Sequence, residues 1–253
     1  MRNNWTREET IIAFNLYCKI PFKDSSSHHP LVVEYARLIG RTPSALNMKI
    51  GNIGRLDPEL RSKGITGLAH GAKIEQAVWE EFNADPERLA YESEQLMAKF
   101  GKMRVEDQLK ITPEDLPQGT EREVIVRQRV NQSFFRSAVM GAYDFTCCIS
   151  GIHCPKLVEA CHIVDWADDP KNRTNPRNGL CLNPFFHTCY DRNLMAITPD
   201  YEVVLREEVI AESKETNFRD YLSAVDHRRI RLPDRFLPAQ DLLAEHYERF
   251  KRL

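Results

Sequence analysis

Apolar residues recur at helical spacing near the start of the chain, behind a residue pair that favours a helix N-terminus. Thr6 and Glu9 form a capping box, and isoleucine, phenylalanine and leucine residues follow them. This pattern predicts a first helix over residues 7–19. The same spacing predicts two further helices within residues 72–101, which we interpret as scaffold.

Two shorter helices are predicted between these segments. Pro30 begins one of them, Gly40 closes it, and Thr42 caps the next. The apolar residues of the latter helix share one face and leave a polar and basic face, which comprises Ser44, Asn47, Lys49 and Asn52. A helix-turn-helix would place such a face in a DNA major groove, because Asn and Lys suit base-edge contacts there. A plain three-helix packing unit with a solvated polar face explains the pattern equally well.

Charge and composition add little to this picture. The formal net charge is −2, but residues 1–70 carry 10 basic and 6 acidic residues, an excess that gives weak support to a nucleic-acid partner. No apolar run reaches the roughly 18 residues needed to span a bilayer, and the N-terminus lacks the apolar core of a signal peptide. We therefore expect a cytoplasmic protein without a membrane partner, whose seven cysteines are thiols or ligands.

The second half of the chain predicts two short strands followed by a helix. Residues 157–164 are mostly apolar and predict a strand that ends on a histidine, and residues 179–182 predict a second short strand. Asn183 and Pro184 then give a strong helix start, with asparagine at the cap and proline at the first helical position.

Residues that can bind metal or transfer a proton lie on these elements. His187 and Asp191 are four residues apart on the predicted helix, so their side chains point the same way. His162 is on the preceding strand and is predicted to face them. The three residues together indicate a divalent-metal site beside a general base. We expect Mg²⁺ or Mn²⁺ there, with Zn²⁺ or Ni²⁺ as alternatives.

The stretch from about residue 131 to residue 198 resembles the HNH domain of bacterial restriction endonucleases, which have the ββα-metal fold. The shared features are an Asn-Gln-Ser-Phe-Phe-Arg helix, a Cys-x-x-Ser-Gly turn, a His-Ile strand and an Asn-Gly-Leu segment. The resemblance implies that His162 is the general base and that Asn178 orients that base and its loop. It also implies that His187 and Asp191 hold the metal.

Four neighbouring residues extend the candidate site. Cys161 stands where many HNH enzymes carry an Asp or His ligand, and Glu159 points to the same strand face. Arg173 and Arg192 are predicted to bind phosphate, because a guanidinium grips a phosphate with two hydrogen bonds. The clustered cysteines leave a structural zinc open as an alternative, but no Cys-x-x-Cys pair occurs, so we expect buried reduced thiols.

Together these features predict an α+β protein. An α-helical, helix-turn-helix or winged-helix-like DNA-recognition domain spans residues 1–105, a linker spans 106–120, and a ββα-metal HNH nuclease domain with a C-terminal helical extension spans 121–253. The predicted function is metal-dependent hydrolysis of double-stranded DNA in restriction of foreign, including modified, DNA. Alternatives are a homing, mobile-element or other phage-defence nuclease, and a DNA-binding regulator with a degenerate HNH module. We expect a homodimer, because a single active centre cuts a single strand.

Overall fold

A computed structural model describes residues 4–65, 73–109, 111 and 120–253 of the 253-residue chain. The chain forms two compact units, Met1–Ala142 and Tyr143–Leu253. The first is helical and the second combines helices with two small sheets, so the protein is α+β as predicted. None of the helices within the described ranges has the length and apolar character required to cross a membrane.

The first unit contains the helices that the sequence predicts and two short ones that it does not, Pro58–Ser62 and Val105–Gln108. They are α1 (Arg7–Lys19), α2 (Pro30–Leu38), α3 (Pro43–Gly54), α4 (Pro58–Ser62), α5 (Lys73–Phe82), α6 (Pro86–Gly101), α7 (Val105–Gln108) and α8 (Thr120–Ala142). The capping box of Thr6 and Glu9 forms at the start of α1, and Thr42 caps α3. Gly40 has φ +69° in the turn between α2 and α3, a conformation that favours glycine. No strand occurs in the described part of this unit, so it offers nothing that corresponds to the wing of a winged helix.

Helix α1 lies at the centre of the first unit. It packs against α3, α5, α6 and α8, so that its polar residues Glu9, Thr10 and Asn15 are buried. Asn15 donates to the Ser93 hydroxyl at 2.6 Å, and Glu9 binds the Arg41 guanidinium. The close approach of α8 depends on Gly141, because a Cβ there would lie 2.5 Å from the Lys19 carbonyl oxygen.

The predicted linker falls on a short helix and on residues outside the description. Helix α7 begins the segment, whereas residues 110 and 112–119 lie outside the described ranges. The linker therefore stays a prediction. The compact units divide after Ala142, so α8 is counted with the first unit, whereas the sequence analysis assigned residues 121–142 to the nuclease domain.

The second unit is built on two antiparallel strand pairs with helices around them. Strand β1 (Glu159–His162) pairs with β2 (Gly179–Leu182), and β3 (Met195–Ile197) pairs with β4 (Val203–Leu205). The helices are α9 (Pro184–Asp191), α10 (Glu207–Ala211), α11 (Thr216–Val225) and α12 (Gln240–Arg252). Strand β1 is shorter than the predicted strand at residues 157–164, while β2 and the start of α9 agree with the prediction.

Helix α12 closes the core of the second unit. It packs on β3, and its residues Leu242, Leu243 and Phe250 are buried. The ring of His246 stacks on that of Tyr190 with a centroid distance of 3.8 Å. The apolar stripe of α12 therefore covers the core of the second unit.

Candidate active site

Strand β1 delivers two side chains toward helix α9. Residues 159 and 161 lie on one face of the strand, because side chains alternate along it. The strand is held in register by β2, with Cys161 opposite Leu180 and His162 opposite Gly179. Cys161 is fully buried and Glu159 is half-buried, so the pair spans the core and the rim of the site.

Helix α9 supplies the other two members. The Asn183 side chain accepts a hydrogen bond from the Phe186 amide, and Pro184 occupies the first turn, so the helix begins immediately after β2. One turn separates His187 from Asp191, and Nε2 of the histidine lies 3.5 Å from Oδ2 of the carboxylate. The prediction that these two side chains point the same way is confirmed.

Glu159 orients His187. Its Oε2 lies 2.7 Å from His187 Nδ1, so Nδ1 carries the proton in this contact and Nε2 faces Asp191. Such a carboxylate behind a histidine fixes the tautomer and ring orientation of a metal ligand. The sequence analysis named Glu159 only as a candidate on the same face as Cys161, and its role behind His187 comes from the packing of α9 against β1.

Cys161 completes a three-residue group. Its Sγ lies 3.8 Å from Asp191 Oδ1, and one ligand atom from each of Cys161, His187 and Asp191 lies within 4.8 Å of the others. Burial raises the pKa of Asp191 above its usual range, and burial beside this carboxylate raises the pKa of Cys161 far above its own. Sulfur, nitrogen and oxygen donors at this spacing fit a divalent ion.

All seven cysteines are free thiols, as the sequence analysis expected. Across the part of the chain that the structure describes, one group of His, Cys, Asp and Glu side chains has metal-binding geometry, and its only cysteine is Cys161.

His162 is held with one ring nitrogen against the backbone. Its Nε2 lies 3.0 Å from the Arg173 carbonyl oxygen, which can only accept, so Nε2 carries the proton and Nδ1 carries the ring lone pair. The Trp166 ring meets the imidazole edge-on at a centroid distance of 5.8 Å. Burial lowers the pKa of His162, while the carboxylates of Asp165 and Asp191 oppose that shift.

Asn178 ties the loop to the end of β1. Its side chain is fully buried, accepts from the Val164 amide at 2.9 Å, and donates to the carbonyl oxygens of Val164 at 3.0 Å and Asn172 at 3.3 Å. Its own carbonyl accepts from the Ile163 amide. The residues that follow His162 are thus fixed to the residues that precede Arg173, whose carbonyl holds the imidazole.

The two predicted phosphate-binding arginines differ in their surroundings. Arg173 donates through Nε to the Trp166 carbonyl oxygen, and its guanidinium lies 5.3 Å from the centroid of the Trp166 ring. Arg192 is the exposed residue at the C-terminus of α9, next to Asp191. Arg173 lies in the segment between β1 and β2, and Arg192 directly follows the last residue of α9.

The polar face of α3 does not have the arrangement that the sequence analysis expected. Lys49 is only 4% exposed, because its Nζ binds Glu75 of α5 at 2.6 Å, and Asn52 donates to the same carboxylate at 3.3 Å. Asn47 accepts from the Ser25 hydroxyl at 2.7 Å, and only Ser44 is fully exposed. The expectation of an outward Lys49 is wrong, because α5 packs against α3 and brings an acidic partner to this face.

Two antiparallel strands followed by a helix that carries metal-ligand side chains define the ββα-metal arrangement, in which a base and a cation site share one small module. Residues 147–198 match the family model of an HNH endonuclease. The match spans 52 of the 253 residues and contains the whole candidate site. The second unit thus carries an HNH endonuclease domain, after a helical N-terminal region. No curated protein matches the chain.

Proposed function

We propose that the second unit hydrolyses phosphodiester bonds in double-stranded DNA, with His162 as the general base. The observation that carries this proposal is the His162 imidazole, anchored on the Arg173 carbonyl oxygen and next along β1 to Cys161 of the three-residue ligand group, within a segment that matches an HNH endonuclease. His187 and Asp191 would hold a divalent ion. Such an ion supplies neutralisation of charge on the phosphoryl group and on the leaving 3′ oxygen.

His162 takes the proton of the attacking water at Nδ1. The Arg173 carbonyl fixes Nε2, so the ring presents its lone pair in one orientation. Burial favours the neutral form, which is the form that can accept a proton. Asn178 is a positioning residue, because it acts through the backbone on either side of His162 and Arg173. Arg173 and Arg192 are the proposed phosphate contacts.

Breaking a duplex requires two such centres. One base and one cation site cleave one phosphodiester, so we propose that the enzyme works as a homodimer on DNA. The helix pair α2–α3 is the proposed DNA reader, with exposed Ser44 as its first candidate contact. The buried pair of Lys49 with Glu75 argues against Lys49 as a phosphate contact. The proposed biological role is restriction of foreign DNA in the cytoplasm.

The test uses full-length protein and supercoiled plasmid, with Mg²⁺, Mn²⁺ or Zn²⁺ supplied separately. We expect His162→Ala to lose cleavage and to keep DNA binding, because the base acts on water and does not dock the duplex. His227→Asn, at an exposed histidine of the same unit with φ 58°, is the matched control and should cleave normally. Cleavage by His162→Ala near the wild-type rate would show that another group is the base.

The same assay separates the competing functions. A regulator with a degenerate HNH module would bind DNA and cut none of the plasmids with any of the three ions. A restriction enzyme would discriminate between modified and unmodified phage genomes. A homing or mobile-element nuclease would instead cut at one long, rare site irrespective of modification.

A further inference from the structure

We propose, on the basis of the nuclease function above, that Cys161 is the third protein ligand of the cation site and makes the site selective for Zn²⁺ or Co²⁺ over Mg²⁺. Cys161 lies on β1, and its thiol faces the α9 residues that are the other two ligands. This assignment departs from the expectation of Mg²⁺ or Mn²⁺, which rested on His187 and Asp191 alone.

The distances between ligand atoms favour a tetrahedral ion. Bonds of about 2.3 Å to sulfur and about 2.1 Å to nitrogen and oxygen, at tetrahedral angles, separate S from O by about 3.6 Å and N from O by about 3.4 Å. The structure has Cys161 Sγ 3.8 Å from Asp191 Oδ1, and His187 Nε2 3.5 Å from Asp191 Oδ2. Adjacent ligands of an octahedral Mg²⁺ lie only about 2.9 Å apart. The two contacts are made to different oxygens of the Asp191 carboxylate, and both distances lie nearer to the tetrahedral separations than to the octahedral one.

The chemistry of the donors points the same way. A thiolate is a soft ligand that binds zinc and cobalt well and is a poor partner for Mg²⁺, which prefers oxygen. A thiolate and a carboxylate also balance the two charges of the ion. Glu159 holds the imidazole with Nε2 toward the group, as carboxylates commonly do behind zinc-binding histidines.

Burial gives the site an inner and an outer side. Cys161 is fully buried, whereas the side chains of His187 and Asp191 are 25% and 54% exposed. Sulfur would therefore bind the ion from its buried side, and the opposite side of the ion would be accessible to solvent. Three protein ligands with an open fourth position is the pattern of catalytic rather than structural zinc.

The test is titration of metal-free, full-length protein with Co²⁺, followed by absorption spectroscopy. We expect a near-ultraviolet band from thiolate-to-cobalt charge transfer and the intense visible bands of a tetrahedral ion. Stoichiometric Zn²⁺ should abolish both, and a large excess of Mg²⁺ should leave them unchanged. Absence of the thiolate band in the wild-type protein overturns the proposal without any variant.

Substitutions assign the band to one residue. Cys161→Ser should lose the charge-transfer band and weaken Zn²⁺ binding by at least about tenfold, and Glu159→Gln should keep the band and weaken binding by about tenfold. The matched control is Cys189→Ser, which removes a buried thiol of α9 outside the ligand group. This variant should keep the charge-transfer band and the wild-type affinity for Zn²⁺. Cys161→Asp replaces sulfur by oxygen and should shift preference toward Mg²⁺. A band that persists in folded Cys161→Ser overturns the assignment.

The metal-site proposal and the nuclease proposal can be refuted independently, the first by spectroscopy and the second by the cleavage assay. Plasmid cleavage with Mg²⁺, combined with no thiolate band, refutes the soft-metal site and leaves the nuclease proposal standing. A thiolate band that depends on Cys161, combined with no cleavage of any DNA, supports the metal site and refutes the nuclease proposal.

Discussion

Replacing Lys49 by methionine tests whether this residue contacts DNA or holds the first unit together. Its ammonium lies 2.6 Å from Glu75 and 4.8 Å from the centroid of the Trp5 ring, and the two ionised side chains are 4% and 1% exposed. Methionine keeps most of the apolar length of lysine and removes the charge. Glu75 is then left buried, with the Asn52 side chain as a hydrogen-bond donor to it on this face.

The magnitude follows from the burial of both partners. Removing one member of a buried ion pair costs about 3–5 kcal/mol, because the other charge stays buried without compensation. This is a large part of the roughly 5–15 kcal/mol that stabilises a typical domain. At about 4 °C per kcal/mol for a unit of this size, Tm of the first unit should fall by about 12–20 °C. The double variant Lys49→Met/Glu75→Leu should recover most of the loss, because it leaves no unpaired charge.

The assay is urea and thermal unfolding of full-length protein, followed by circular dichroism, together with DNA binding at several salt concentrations. Ser44→Ala, at an exposed position of the same helix, should change stability by less than about 0.5 kcal/mol. A phosphate contact would behave in the opposite way, with normal stability and a salt slope of DNA binding reduced by about one. That result for Lys49→Met would refute the structural role.

Three further predictions concern the second unit. Mixing wild-type protein with excess His162→Ala protein should convert plasmid mainly to nicked circles, and a loss of linear product merely in proportion to the wild-type fraction, without nicking, would exclude the dimer. Asn178→Ala should lower kcat more than it changes KM, and an unchanged kcat would contradict its positioning role. The same variant should lower the free energy of unfolding, measured in urea, by about 2–3 kcal/mol, because the buried Val164 amide and carbonyl lose their side-chain partner. Burial lowers the pKa of His246 from 6.5 to about 4. As the pH falls, this histidine is therefore protonated first in the unfolded chain. The free energy of unfolding should decline from its value above pH 6.5 by up to about 3 kcal/mol toward pH 4. His246→Phe, which keeps an aromatic ring against Tyr190, should lose that part of the pH dependence in unfolding at pH 4.5 and pH 7.5, and an identical pH dependence in both proteins would contradict it.

Local signals in the sequence predicted the elements that begin at caps. Thr6, Thr42 and Asn183 each accept a hydrogen bond from an amide two or three residues into the helix, so the residues that decide each helix start are neighbours along the chain. The spacing of His187 and Asp191 is equally local, because four residues make one helical turn. These features were predictable because no distant residue is needed to produce them.

Long-range partners were not predictable in the same way. The partner of Lys49 is Glu75, which lies 26 residues further along and arrives on a different helix. Periodicity on α3 correctly places Leu46, Ile50 and Ile53 in the core. It cannot show which element covers the flank of a helix, and a flanking lysine looks the same in sequence whether it meets solvent or a carboxylate.

The role of Glu159 and Cys161 depends on the pairing register of β1 and β2. A slip of one residue would turn both side chains away from α9, since alternate residues face opposite sides of a sheet. The strand pattern does not fix this register, because all four residues of β2 are buried. Asn178 does fix it, since its carbonyl binds the Ile163 amide and its side chain binds both backbone groups of Val164. The residue that steadies the base therefore also aligns the thiol and the carboxylate with the cation site, and its loss should disturb both.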